Sequence, residues 1–253
     1  MRVEVLGDGE PEHAVVACVH GNEPCGWHAF NMFKREGIEL KKPLKLVLAN
    51  ERAFRLGKRS IDADLNRSLP GNPESEKYEE RLAVQLRNEL EGTKILDLHS
   101  SESEGCPFAI TVGQEREKLD LARSTGLEQV VDMSFVDGGL TQNLEGVVAE
   151  CGYKDEETSA DMAFRIMKNF LAAEGVIDAE HKVSEPEIFE TYGKAEGSGF
   201  DFVARNFELV REGEVFAEKP GEARRAEEDF YPVLMSTDGY SDMIGFKARK
   251  RDI

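Results

Sequence analysis

No apolar run in this 253-residue sequence approaches the roughly 18 residues needed to cross a membrane. The opening MRVEVLGDGE reads as a strand and a turn, without the long apolar stretch of a signal peptide. Cysteine is scarce, and Cys18, Cys25, Cys106 and Cys151 show neither CxxC spacing nor a disulfide framework. These absences predict a cytoplasmic protein with reduced thiols. Positive charge is also in deficit: 32 Lys and Arg face 50 Asp and Glu, a formal net charge of −18. A nucleic-acid binder needs a basic surface to meet phosphates, and a polybasic membrane-surface protein needs one to meet lipid headgroups. Neither is expected here. Phosphate-cradling loops of the Walker or GxGxxG kind are missing too, as are internal repeats and low-complexity tracts.

What is present suits a folded enzyme. About 40% of residues are apolar, enough for a sizeable core. Val3–Leu6, Ala14–Val19, Leu44–Ala49, Lys94–Leu98, Phe108–Val112, Gln129–Asp132 and Gly146–Glu150 read as strands. Ala14–Val19 is a continuous apolar run, as in a strand covered on both faces. Between them a helix is predicted from near Pro24 to a stop at Gly37. A second is expected to begin at Asn72–Pro73, carry Leu82, Leu86 and Leu90, and end at Gly92. Thr158 with Asp161 resembles a capping box before an apolar stripe of Ala163, Ile166, Met167, Phe170 and Leu171. This alternation predicts an α/β fold with a mostly parallel or mixed sheet flanked by helices. From residue 181 the segments become short and broken by Gly and Pro: Glu187–Thr191, Phe202–Val210, Glu214–Ala217 and Tyr231–Leu234. The expected division is an α/β domain over 1–180 and a small β-rich domain over 181–253.

The stretch His20-Gly-Asn-Glu-Pro-Cys-Gly follows directly on an apolar strand, and Asp97-Leu-His99-Ser lies at the end of another. Strand ends are where ligands bind in α/β sheets. His20, Glu23 and His99 offer two imidazoles and a carboxylate, the ligand set of a catalytic zinc site that keeps one position open. Between them runs a polar segment, Gly57 to Gly71, with Arg59 and Arg67. Arginine grips carboxylates through a bidentate fork, and Asp64 is a candidate partner for Arg67. Asp97 is either a second partner for a ligating histidine or an ordinary strand-end acid. Cys25 and Cys151 lie near these residues and read most simply as small buried thiols.

The order HGNE, then DLNR followed by PG, then DLH resembles the succinylglutamate desuccinylase/aspartoacylase family of zinc-carboxypeptidase-like hydrolases. The resemblance implies an α/β hydrolase domain followed by a smaller β-rich domain, with one Zn²⁺ per chain held by His20, Glu23 and His99. It places Arg59 at the scissile carbonyl, Asn66 and Arg67 at the substrate carboxylate, and Glu150 as the catalytic glutamate. It also implies a small N-acyl amino acid as substrate, with a homo-oligomer left open. Aspartoacylase-like members carry a further arginine shortly before the catalytic glutamate, where this chain has Leu140. Tyr240 matches loosely a tyrosine that some relatives place over the site, and is read instead as a surface aromatic. The expected activity is deacylation of an N-acyl amino acid by metal-activated water. A metallocarboxypeptidase, or an inactive binding protein on the same scaffold, shares most of these residues.

Overall fold

The computed structural model describes residues 1–103, 105–154, 158–237 and 239–251. In chain order the strands are β1 (Arg2–Leu6), β2 (His13–Ala17), β3 (Leu44–Leu48), β4 (Lys94–Ser101), β5 (Phe108–Thr111), β6 (Gln129–Asp132), β7 (Gly146–Tyr153), β8 (Glu187–Glu196), β9 (Asp201–Phe202), β10 (Val215–Lys219), β11 (Glu222–Arg225), β12 (Tyr231–Val233) and β13 (Met243–Arg251). The helices are α1 (Cys25–Glu36), α2 (Glu51–Arg55), α3 (Leu65–Ser68), α4 (Tyr78–Leu90), α5 (Arg116–Ser124) and α6 (Thr158–Ala173). Among the described residues, ten strands form one mixed sheet in the order β1-β3-β2-β4-β7-β5-β6-β8-β13-β12. The run β3-β2-β4-β7 at its heart is parallel. A small antiparallel sheet, β11-β10-β9, is added towards the C-terminus.

Period-two alternation sends the central strands into two cores. Val15, Ala17, Leu96 and Leu98 face α1 and α6, where Phe30, Phe33, Met167 and Phe170 are buried. Ala14, Val16 and Ile95 face the opposite layer with Leu82, Leu86 and Leu90 of α4. Each such Leu or Phe contributes about 1.5–3 kcal/mol by leaving water. Every residue of β2 is buried, as its unbroken apolar run predicts.

Helix α1 begins after Pro24 and ends on Gly37, whose φ of 61° closes the helix in the left-handed region. Helix α4 begins later than expected, at Tyr78. The Asn72 side chain is used otherwise, accepting from Glu74 N at 3.0 Å in a local turn. Helix α6 starts at Thr158, with Asp161 in its first turn and the expected stripe buried.

After residue 181 the differences are larger. Strand character at the expected Phe202–Val210 is confined to β9, with Phe207 at a φ of 67°. Strand β13 is dense in Lys and Arg and was not foreseen. It seats between β8 and β12, and its Arg249, Lys250 and Arg251 pair with Glu228, Glu187 and Glu190. The change of sequence character near residue 180 therefore does not interrupt the main-chain ladder. Strands β8, β13 and β12 prolong the large sheet.

Candidate active site

Three adjacent parallel strands, β2, β4 and β7, end on the same side of the sheet. Beyond β2 the chain turns at Cys18, whose φ of 55° is unusual for a residue with a side chain. This delivers His20 and Glu23, both buried, ahead of α1. Gly21 between them is required by space. A Cβ there would lie 2.3 Å from Ala53 C and Phe54 N, so the loop rests directly on α2. Its N–H donates to Arg59 O at 3.0 Å. Strand β4 supplies His99, which stands opposite Glu150 of β7 in the ladder.

The side chains converge. His20 Nδ1 lies 2.8 Å from Glu23 Oε1, and His99 Nδ1 lies 2.8 Å from Glu23 Oε2. One ligand atom from each of the three falls within 4.8 Å of the others, a group able to hold a metal ion. The outer nitrogens are engaged separately: His20 Nε2 meets Asp64 Oδ1 at 3.3 Å, and His99 Nε2 meets Asp97 Oδ2 at 3.0 Å. Carboxylates on the far nitrogens orient ligating imidazoles and raise their basicity. The donor set thus fits a divalent cation bound through the two Nδ1 atoms and Glu23. Of the two readings of Asp97, the structure selects the histidine partner. Asp64 pairs with Arg59 and His20, and not with Arg67 as entertained from the sequence.

Burial alone would raise the Glu23 carboxyl, and the two imidazoles outweigh it, holding it well below the usual carboxylate range. Burial opposes protonation of His99, yet Asp97 and Glu23 lift it well above its ordinary value. Glu150 differs. Burial raises it to about 7, His99 opposes that rise and Glu23 adds to it. Its Oε2 is buried without a hydrogen-bond partner among the described residues. A half-buried carboxyl beside the cluster, with one buried unpartnered oxygen and a value near neutrality, is suited to accept and return a proton.

Arg59 is aimed by two acids, with Nη1 at 3.2 Å from Glu23 Oε1 and Nη2 at 2.9 Å from Asp64 Oδ2. Arg67 lines the same cleft and has no ion-pair partner among the described residues. Asn66, expected beside it at the substrate carboxylate, is not among the residues lining the cleft; its carbonyl accepts from Gly139 N at 2.6 Å, and its Oδ1 is buried with no partner among the described residues. The cleft, of about 410 Å³, is also lined by Leu234, Tyr240 and Phe246. Tyr240 is therefore not a surface aromatic. Burial raises its hydroxyl, with Glu150 adding to the rise and Arg59 and Arg67 opposing it. Lys194 of β8 also reaches the cleft, and no motif around it signals this. Cys25 and Cys151 are buried beside the site without lining it.

A mixed sheet whose central parallel strands place a buried His–Glu–His group at a cleft belongs with the α/β enzymes that act at strand ends. More particularly, the chain belongs to the succinylglutamate desuccinylase/aspartoacylase family, whose catalytic-domain model matches residues 10–175. Members of that family hydrolyse amide bonds. No sequence among proteins of curated function matches this chain. Among solved structures, the product-bound ectoine utilization protein EutE (DoeB) of Ruegeria pomeroyi is similar, with a TM-score of 0.79 at 20% identity over 97% of this chain and 88% of that one. A succinylglutamate desuccinylase/aspartoacylase from Rhodobacter sphaeroides gives 0.80 at 17% identity over 99% and 89%. Murine aminoacylase 3 gives 0.73 at 20% identity over 96% and 97%. At these identities the likeness concerns the fold.

Proposed function

We propose that this protein is a zinc-dependent amidohydrolase that removes the acyl group from a small N-acyl amino acid. The observation that carries the reading is Glu150, a half-buried carboxyl with one buried oxygen unpartnered among the described residues, set across the β4–β7 ladder from His99. His20, Glu23 and His99 would hold the metal. Bound there, zinc supplies a Lewis acid that makes water acidic enough to be a nucleophile near neutral pH. Glu150 takes the proton of the attacking water and returns it to the leaving amine. Arg59, held by Glu23 and Asp64, presents its guanidinium to the oxyanion that develops on the scissile carbonyl. Arg67 grips the substrate carboxylate with its fork. Tyr240 lines the same cleft.

The test is a turnover screen of zinc-loaded protein against N-acetyl, N-succinyl and N-formyl amino acids beside short peptides. Hydrolysis of an N-acyl amino acid, lost on chelation and restored by zinc, is expected. Preferential release of C-terminal residues from peptides would make it a carboxypeptidase. Metal uptake without any turnover would make it a binding protein.

A further inference from the structure

Glu79, in the first turn of α4, is a fully buried charge that does not reach the cleft. Its Oε1 accepts from Ile61 N at 2.7 Å and from Asn50 Nδ2 at 3.0 Å. Its Oε2 accepts from Asp62 N at 2.9 Å and Ala63 N at 3.0 Å. Burial opposes ionisation of Glu79, and these donors outweigh it, keeping the carboxyl below its usual range. Three consecutive main-chain N–H groups thus converge on one side chain. They belong to the loop between Arg59 and Asp64, which is neither helix nor strand and has no ladder of its own. Asp62 Oδ2 fastens the same loop to the start of α4 by accepting from Tyr78 N at 2.8 Å. The two ends of the loop reach the His–Glu–His group: Arg59 meets Glu23, and Asp64 meets His20 Nε2.

We propose that Glu79 is a positioning residue whose carboxylate clamps the 61–63 main chain and thereby sets where Arg59 and Asp64 stand against Glu23 and His20. The proposal rests on the reading of that group as a metal centre. Replacing Glu79 by Gln leaves one acceptor oxygen where four donors converge, and turns an amide N–H₂ towards main-chain N–H groups. The loop must then move, carrying both ends with it.

The test takes full-length Glu79→Gln, checks its folding by thermal melting, and measures zinc affinity by competition with a chromophoric chelator. Affinity is expected to fall about 10–100-fold, as when an outer partner of a metal ligand is removed. The decisive arm repeats the change in an Asp64→Asn background. Acting through Asp64, Glu79→Gln should cost little more there, whereas a general structural loss adds in full. Full additivity, or wild-type affinity in folded Glu79→Gln, overturns the proposal. A metal-independent arm follows hydrogen exchange at the amides of residues 61–63. Selective quickening there is expected, and unchanged exchange overturns the clamp. Should Glu79→Gln not fold, Asp62→Ala, which cuts the exposed bond to Tyr78 N, enters the same measurements. Smaller losses of the same non-additive kind are then expected, and none at all overturns the clamp. If the wild-type protein binds zinc but cleaves no amide, the proposed activity fails while chelator competition and exchange still decide the clamp.

Discussion

Burial raises Glu150 to about 7, against an ordinary value of 4.5. In the metal-free protein the native state therefore keeps a proton on this residue that the unfolded chain has already released, so stability declines as pH rises from about 4.5 to about 7. Glu150→Gln is permanently neutral. Metal-free variant should melt above the wild type at pH 8 and close to it at pH 5, as differential scanning calorimetry would show. Equal melting at both pH values would mean that Glu150 carries no raised proton affinity. On the proposed mechanism, the same change in the zinc-loaded protein should lower kcat by about 10²–10⁴ with zinc content intact, because it would remove a proton shuttle and no ligand. Loss of zinc, measured by elemental analysis, would make Glu150 a ligand. Arg67→Lys keeps the charge and loses the fork. Turnover efficiency should fall steeply for carboxylate substrates and less for their amides; equal losses would make Arg67 structural.

At the level of elements, the site depends on how closely α1 approaches the sheet. Gly26 is the point of nearest packing: a Cβ there would lie 2.8 Å from Ala17 Cβ and 2.9 Å from Leu98 Cβ. Both contacted atoms are Cβ, fixed to the main chain, so no rotamer change can move them aside. Gly26→Ala should therefore push α1 off β2 and β4 at a cost of about 1–3 kcal/mol. Its melting temperature should drop by several degrees, with weaker zinc binding as well, because Ala17 precedes the His20 loop and Leu98 adjoins His99. An unchanged melt would show that the helix can shift without strain. Helix α4 has a comparable dual role, covering one face of the sheet with Leu82, Leu86 and Leu90 while presenting Glu79 to the 61–63 loop.

The whole molecule carries a net charge of −18, and much of its positive charge is engaged in surface pairs such as Lys182–Glu128 and Lys250–Glu187. Self-repulsion of the remaining acids acts on the compact state more than on the expanded chain. Raising NaCl from about 0.01 M to about 1 M shortens the screening length from about 30 Å to about 3 Å. The melting temperature should rise across that range, since exposed ion pairs are worth little and their loss is outweighed by relief of repulsion. A falling melting temperature would show that the surface pairs matter more than the net charge. No helix among the described residues is long and apolar enough to cross a membrane.

Much of this protein is written in short-range pattern. The unbroken run of β2, the Leu82–Leu86–Leu90 repeat and the Pro24 and Gly37 boundaries of α1 each depend on neighbours within a turn or a strand, so local sequence determines them. His20, Glu23 and His99 were legible for a related reason: each follows an apolar strand, and parallel strands side by side must end together. Other features depend on contacts between distant segments. Asn72 looks like a helix cap, but its side chain closes a turn instead. Strand β13 carries Arg249, Lys250 and Arg251, which are neutralised only where the fold brings Glu228, Glu187 and Glu190 alongside. Asp64 reads as a local partner of Arg67, and only the fold places it against His20 and Arg59 instead. Tyr240 and Lys194 enter the cleft because β8, β13 and β12 prolong the large sheet past residue 180. Glu79 looks like one more acid on a solvated helix. It is buried because three main-chain N–H groups with no ladder of their own need an acceptor, a demand that arises only once the chain has folded around them.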